Sequence, residues 1–356
     1  MDTEKCAALL TALQVGNLSG AAAQLGYTPS GMSRMMTALE SELGFPLLFR
    51  SKAEVVPTPE CERMLPVLTD LAALGRTCRQ TAAHIRGLDV GAVRVGSAYR
   101  QFYGILAQIL AAFTAQHPGI QVDIRMENSS PLLALLESHQ VDLCIASKRT
   151  GRFAWTPLLA DPMVAVTPRN HPLAQSGTPY PLARFAADPF IQISAGPDSD
   201  NDRTLAAAHV APHPRFTVFD NRAAAELVAA GLGVTLMNRL CAHEYRSTVA
   251  VLPLDAAAPV QIGIAQDADA TPSPAVEAFR TFAAPRLAAY AAQTAQDAYN
   301  PKPRLCRSPR LGSSGLAAAA RRPQRHGGRP CVPAARLPSS PSAGAPTGRP
   351  QSWPHR

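Results

Sequence analysis

Apolar positions recur at helical spacing through the first forty residues. Cys6, Leu9, Leu10 and Leu13 fall at i, i+3, i+4 and i+7, the stripe of an amphipathic helix that Gly16-Asn17 stops. Ser19 is placed to cap a second, short helix through Leu25, with Gly26 ending it. Thr28-Pro29-Ser30 starts a third, because Pro suits a first helical turn and Thr28 or Ser30 supplies a capping hydroxyl. That helix runs to about Leu43 and stops at Gly44. Met32, Met36, Leu39 and Leu43 form its core face. Ser30, Ser33, Arg34, Thr37 and Ser41 form an opposite face of short polar side chains with one long cation. Leu47 to Lys52 and Val55 to Thr58 then read as two short strands around a turn.

A longer helix begins at Thr58-Pro59-Glu60, with a cap, a proline and an acid in the order a helix start requires. Met64, Leu68, Leu71, Gly75, Cys78, Ala82 and Ile85 follow at alternating spacings of four and three, a heptad seam closed by His84, Arg86 and Gly87. The reading is a stem, 59–87, that pairs with a second chain. The alternative is a helix packed on its own domain. From 88 to about 295 strands alternate with helices. Val93 and Val95 lead to Ser97-Ala98, a helix covers Ile105 to Gln116, and strands follow at Ile120–Ile124 and Val141–Ala146. After a break near 160 the pattern repeats at Met163–Val166, Phe190–Ile193, Phe216–Phe219 and Gly233–Met237. This predicts two similar α/β subdomains with parallel, doubly wound sheets: the first about 88–160 and 265–295, the second about 161–264.

Composition sharpens this division. The 356 residues are 46% apolar and 17% charged, enough for real cores in two or three domains. No apolar run approaches membrane-spanning length, and Met1-Asp2-Thr3-Glu4 lacks a cationic leader, so a cytoplasmic chain without a membrane partner is expected. Seven scattered cysteines without a Cys-x-x-Cys pair argue against disulfides or zinc and for a reducing compartment. The formal charge of +8 is misleading: from Asp297 onward eleven Lys/Arg face one acid, so the rest carries −2. Eleven of the 33 prolines also fall there. Residues 296–356 read as a disordered basic tail, either a nonspecific nucleic-acid binder or a dispensable extension.

The chemistry-bearing candidates lie in two places. A short helix, a four-residue turn and a polar-faced helix make a helix-turn-helix, and only short side chains let a helix sit deep in a major groove. Thr28, Pro29, Ser30, Ser33, Arg34 and Thr37 are the candidate contacts to double-stranded DNA, with Arg50 and Lys52 on a two-stranded wing. The first 60 residues hold four Lys/Arg against six Asp/Glu, so phosphate affinity per subunit is modest and dimerisation is needed. In the body, ligands bind beyond the carboxyl ends of strands. Ser97, Asn128, Ser129, Ser130, Ser147 and Ser194 stand there, beside helix N-termini that favour an anionic ligand. Each serine taken alone is as readily a helix cap.

Catalytic signatures are few. There is no Gly-x-Ser-x-Gly, Walker loop or His-Glu-x-x-His, and Gly231-Leu232-Gly233 lacks the third glycine of a dinucleotide loop. His117, His171 and His213 lie in expected turns. No catalytic residue, cofactor or metal is assigned. A small-molecule enzyme or carrier whose first helices only dimerise it is the rival class, and a redox sensor using Cys144 or Cys241 is a third. Cys144 lies in an apolar strand, which suits an inert thiol.

Gly16-Asn17-Leu18-Ser19, Ala21-Ala22, Leu25, Thr28-Pro29-Ser30-x-x-Ser33, Leu39-Glu40, Leu43-Gly44, Leu47-Leu48-Phe49-Arg50 and Pro57-Thr58 resemble the winged helix-turn-helix of LysR-type transcriptional regulators. The stem, the two-part body, Val141-Asp142-Leu143-Cys144-Ile145 and Ala230-Gly231-Leu232-Gly233-Val234 also fit that family. The resemblance implies a bacterial regulator with a winged helix-turn-helix at 1–58, a linker helix, and a periplasmic-binding-protein-like effector domain. It implies a homodimer or homotetramer, a small-molecule effector between the subdomains, and RNA polymerase as a further partner. Thr28, Pro29, Ser30, Ser33 and Arg34 would then face the operator and Arg50 the wing contact, while Ser97, Ser129, Ser130 and the Ser194 region would line the effector cleft. Cys61, His139-Gln140 and Asn238 depart from the family pattern, and the tail has no counterpart in it.

Overall fold

The computed structural model describes residues 1–50, 54–87, 89–194, 196 and 198–299. Helices α1 (Thr3–Val15), α2 (Leu18–Leu25) and α3 (Pro29–Leu43) enclose Cys6, Leu9, Ala12, Ala21, Met32, Met36 and Leu39. Asn17 caps α2, not Ser19: its side chain accepts the Gly20 N–H at 2.6 Å, which starts the helix one residue before Ser19. Strands β1 (Leu48–Arg50) and β2 (Val55–Pro57) pair antiparallel, with Leu48 opposite Pro57. Glu40 ties this hairpin to α3 by accepting the Leu47 and Leu48 N–H groups at 2.9 and 3.3 Å. Thr58 ties it to the next helix: its hydroxyl donates to the Pro46 carbonyl at 2.8 Å and caps through the Cys61 N–H.

Helix α4 (Pro59–Ile85) divides the expected seam between two faces. Cys61, Leu68 and Ala72 are buried in the core shared with α1, so Cys61 fills an interior position there. Val67, Leu74 and Ile85 lie on the outside, exposed by 50%, 59% and 79%. The exposed row is thus Val67, Leu74, Cys78, Ala82 and Ile85, and Leu68 belongs to the opposite side. The reason is that three short helices leave apolar surface uncovered, and the first half of α4 covers it.

The body alternates as expected at first: β3 (Gly91–Ser97), α5 (Tyr103–Gln116), β4 (Ile120–Met126), α6 (Ser129–Glu137), β5 (Leu143–Ser147). Then β6 (Phe153–Asp161) runs directly into β7 (Met163–Thr167). The second half holds α7 (Pro172–Ser176), β8 (Phe190–Ile193), α8 (Asp200–Ala207), β9 (Pro214–Val218), α9 (Asn221–Ala229), β10 (Thr235–Asn238), α10 (Arg239–Ala242) and β11 (Ala250–Pro253). The chain closes with β12 (Val260–Asp267) and α11 (Pro274–Tyr299), whose end enters the segment read as tail.

The first sheet has the order β4-β3-β5-β12-β6. In the second, β8-β9 joins β10-β7-β11 through a Phe190–Val234 bridge, giving β9-β8-β10-β7-β11. The orders match, which is the internal repeat seen in the sequence. The sheets are mixed, however, not parallel. β12 runs antiparallel to β5 and β6, and β7 runs antiparallel to β10 and β11. The cause is that the chain crosses between subdomains on bare strands, β6 into β7 and β11 towards β12, with no helix to reverse it. The return places Val260 in the first sheet, a few residues before the expected 265. Phe113 and Phe279, of α5 and α11, meet edge-on at 5.0 Å over one face of the first sheet, and Leu132, Leu133 and Leu136 of α6 cover the other.

Two glycines in the second subdomain have structural duties. Gly231 ends α9 at φ +76°, and at Gly233 a β-carbon would run into the Pro189 carbonyl oxygen. That oxygen accepts the Val234 N–H at 2.9 Å, the join between β8 and β10. Gly233→Ala should destabilise the fold by about 1–3 kcal/mol, read as a lower urea midpoint.

Asp161 ends β6 at the first crossing. It is buried, and both its oxygens accept the Leu240 N–H at 3.2 Å. Burial pushes its carboxyl up to about 7, against the pull of that N–H and of Arg239. Its folded value lies above its unfolded one, so the native state holds a proton that the unfolded chain releases. Stability should therefore fall as pH rises from about 4 to about 7 through this group. Thermal midpoints across that range should show a flatter slope for Asp161→Asn than for the wild-type chain.

Candidate DNA-reading face and effector cleft

The DNA-reading candidates fall where the helix period puts them. Thr28 is the N-cap of α3, its hydroxyl accepting the Gly31 N–H at 3.1 Å and lying 3.2 Å from Ser30 Oγ. Pro29 occupies the first turn. Ser30, Arg34 and Thr37 are exposed and Ser33 is partly so, on the side opposite buried Met32, Met36 and Leu39. The Thr37 hydroxyl donates to the Ser33 carbonyl at 3.1 Å. Arg34 is therefore the one long cation on a face of short groups. Tyr27, which the sequence reading passed over, stands exposed in the turn before α3. Arg50 ends β1; its side chain and Lys52 lie outside the described residues.

The six cleft candidates separate into three that meet and three that do not. Ser129, at the start of α6, and Ser147, at the end of β5, are both buried. The Ser147 N–H donates to Ser129 Oγ at 3.0 Å, and the two hydroxyl oxygens lie 2.8 Å apart. Ser147 Oγ also lies 2.8 Å from Asp200 Oδ1, and Ser130 donates to Asp198 Oδ2 at 2.6 Å. Ser97 turns back on its own loop instead: it donates to the Tyr99 carbonyl at 3.2 Å and is fully buried. Asn128 precedes α6 near Gly196, and Ser194 contributes its N–H to Val218 at 2.7 Å.

The groups completing this site were not foreseen. Arg149, two residues beyond the end of β5, bonds Ser130 Oγ at 3.2 Å, the Asp198 carbonyl at 3.1 Å and Asp200 Oδ1 at 2.9 Å. Its Nε is 3.4 Å from the Asp198 carboxylate. The Tyr99 hydroxyl donates to Asp200 Oδ2 at 2.6 Å. Burial, then the Asp200 charge, hold that phenol well above its ordinary value, so it remains a donor. The hydrogen bond from Arg203, with help from Ser130 and Arg149, holds Asp198 down at about 2. Asp198 itself adopts φ +61°, and Ser199 with Asp202 forms a capping box that aims Asp200 across the cleft. That Ser-x-x-Asp box was the available signal in the sequence; the partner of Asp200 was not.

Elsewhere, Cys144 is buried and its thiol is pushed up to about 12 by burial, while burial raises Cys241 further. His139 adopts φ +50° at the end of α6, where a glycine would be unstrained. It bonds Asp70 of α4 at 2.9 Å while its carbonyl accepts Arg94 and Arg76 at 2.5 and 3.3 Å. Among the described residues no helix is long and apolar enough to cross a membrane.

Comparison with known proteins identifies the two halves separately. Residues 4–62 match the bacterial regulatory helix-turn-helix of the lysR family, and residues 86–288 match the LysR substrate binding domain. LrrA of Synechococcus elongatus, a probable HTH-type transcriptional regulator, is 29% identical over 274 residues, 76% of this chain and 92% of that protein. The HTH-type transcriptional regulator CbbR of Rhodospirillum rubrum is 26% identical over 228 residues, 63% of this chain and 74% of its own length. Among solved structures, a full-length OxyR variant from Pseudomonas aeruginosa superposes with a TM-score of 0.60 at 19% identity, covering 83% of this chain and 95% of that one, a likeness of fold. The helix-turn-helix, the two-sheet body and these matches together place the chain in the LysR family of transcriptional regulators, with a DNA-binding domain followed by an effector-binding domain.

Proposed function

We propose that this regulator reads an operator with the exposed face of α3, pairs through the outer face of α4, and senses a small molecule in the cleft around Ser129, Ser130 and Ser147. The observation that carries the reading is the polar α3 face, short and singly charged, on a helix whose opposite side is fully engaged in core packing. Short side chains let the backbone approach base edges, and Arg34 has the reach and fork to bond a guanine. Thr28, Pro29, Ser30 and Thr37 border that contact, with Arg50 and Lys52 reaching phosphate from the wing.

Few cations per subunit make single-domain binding weak, so affinity is built by joining two reading heads. The outer row of α4 supplies the join: exposed apolar side chains at heptad spacing are favourable only when a second helix covers them. Two heads fixed by paired stems read half-sites at a set separation. Effector binding changes the angle between the subdomains, and the effector's unequal affinity for two arrangements drives the change. RNA polymerase is the downstream partner of such a change, and the cytoplasm is where it operates. The serine hydroxyls of the cleft are engaged by Asp198 and Asp200, whose carboxylates are themselves bound by Arg149 and Arg203, an arrangement that suits binding of the effector.

The direct experiment is capture of sheared genomic DNA by the full chain and by a chain ending at Pro303, followed by sequencing and salt titration. Enrichment of the same few sites by both supports the reading. Retention without site preference by the full chain alone would assign the interaction to the tail. Ser33→Ala and Arg34→Ala should each weaken operator binding by about 1–3 kcal/mol while nonspecific binding changes less. Leu74→Glu with Ile85→Glu should shift the chain towards monomer in sedimentation and raise the apparent operator Kd by roughly tenfold or more. An unchanged oligomer would remove the outer α4 row from the interface.

A further inference from the structure

The part of the cleft best suited to hold an anion already holds one belonging to the chain. Asp200 leaves the second subdomain at the start of α8 and enters the first. There it receives the Tyr99 hydroxyl at 2.6 Å, the Ser147 hydroxyl at 2.8 Å and the Arg149 guanidinium at 2.9 Å. These donors come from the loop after β3 and from the end of β5, so three contacts on one carboxylate bridge the two subdomains. Asp198 adds a second bridge through Ser130 and Arg149. Arg149 and Asp200 are both nearly enclosed, with side-chain exposures of 7% and 11%. Behind them Ser129 Oγ accepts the Ser147 N–H and lies 2.8 Å from Ser147 Oγ, which fixes the Ser147 side chain within reach of Asp200.

We propose that Asp200 is a tethered ligand for this anion seat, so that a soluble carboxylate enters only by displacing it and thereby parts the subdomains. This rests on the reading of the cleft as the effector site. The donor set is built for a carboxylate: one charged fork and two hydroxyls converging on two oxygens, in a site nearly closed to water. A tethered group competes at high effective concentration, which raises the concentration of free anion needed to occupy the seat. Displacement also removes one of the contacts that join the subdomains across the cleft, so occupancy and cleft geometry are linked through this side chain. The device sets specificity as well: a simple monocarboxylate repeats only what Asp200 already does, and a natural effector has to add contacts elsewhere in the cleft to win. The cavity of about 1210 Å³ beside the seat, which Lys148, Arg149, Asp200 and Arg203 line, has room for them.

Formate and acetate are the probes. Thermal unfolding of the full-length wild-type chain, Asp200→Asn and Asp200→Ala would be followed against each salt, with chloride at matched ionic strength as the reference. Both variants should gain a saturable, carboxylate-specific rise in midpoint, at concentrations roughly tenfold or more below any such rise in the wild type. Arg149→Gln added to Asp200→Ala should abolish it. Asp200→Asn keeps the shape of the side chain and carries the comparison if Asp200→Ala folds poorly. The proposal is overturned if folded variants respond to carboxylate no more than to chloride, or if the wild type responds equally. Operator binding by the wild-type chain, measured on the same preparations, decides the regulatory reading independently of the formate result.

Discussion

Among the described residues the chain passes between the two sheets on two extended crossings without a helix, and the behaviour of the body depends on that connection. β6 enters β7 through Pro162, and residues 254–259 carry β11 back to β12. A pair of adjacent extended crossings bends easily but does not let the halves separate. The relative angle of the sheets is then set by whatever bridges them beyond the crossings. In this structure Asp161 braces the first crossing, while the Asp198 and Asp200 carboxylates, the Gln101–Glu244 hydrogen bond and Leu240, packed into the first core, bridge the two halves. A buried, partly protonated carboxyl at the first crossing and a carboxylate fully donated to at the mouth are opposite solutions to the same problem. One is tolerated at a cost in solvation, the other is compensated by hydrogen bonds.

The same economy governs the DNA-binding end. With six acids against four cations in the first sixty residues, the domain has little electrostatic attraction to spare for phosphate. Its affinity has to come from fit at base edges and from doubling of the reading head. In the proposed reading, α4 serves both ends of this requirement. Its inner face completes the core with α1, and its outer face remains apolar at heptad spacing. Farther along, Asp70 and Arg76 contact the turn at His139, so α4 touches the effector-binding domain as well as the DNA-binding domain. Any change in body geometry therefore has a short mechanical route to α4.

Local pattern was sufficient for much of this. The helix-turn-helix was legible because caps, glycine stops and a 3.6-residue period are properties of neighbouring residues. Even there, Asn17 and not Ser19 provides the cap, because both side chains carry suitable acceptors two residues apart and local pattern does not choose between them. The strand–helix alternation marked the repeat and the strand ends where polar residues gather. It did not disclose β6, which is largely exposed, or β12, although Val260, Ile262 and Ile264 alternate there with smaller or polar residues; local alternation carries no strand direction, so the antiparallel strands that make the sheets mixed were missed.

By itself the sequence determined the helical head with its short polar face, the heptad helix after it, two α/β repeats, and the confinement of excess positive charge to the last sixty residues. Tertiary structure decided which face of α4 is spent on its own domain, because that depends on the surface three other helices leave open. It also decided which serines meet. Ser129, Ser130 and Ser147 converge with Tyr99, Arg149, Asp198 and Asp200, while Ser97 turns inward. Asp200 lies 101 residues from Tyr99 and 53 from Ser147. A contact at that separation leaves no trace in local spacing; it exists because the chain crosses twice between the sheets and brings the start of α8 against the ends of β3 and β5.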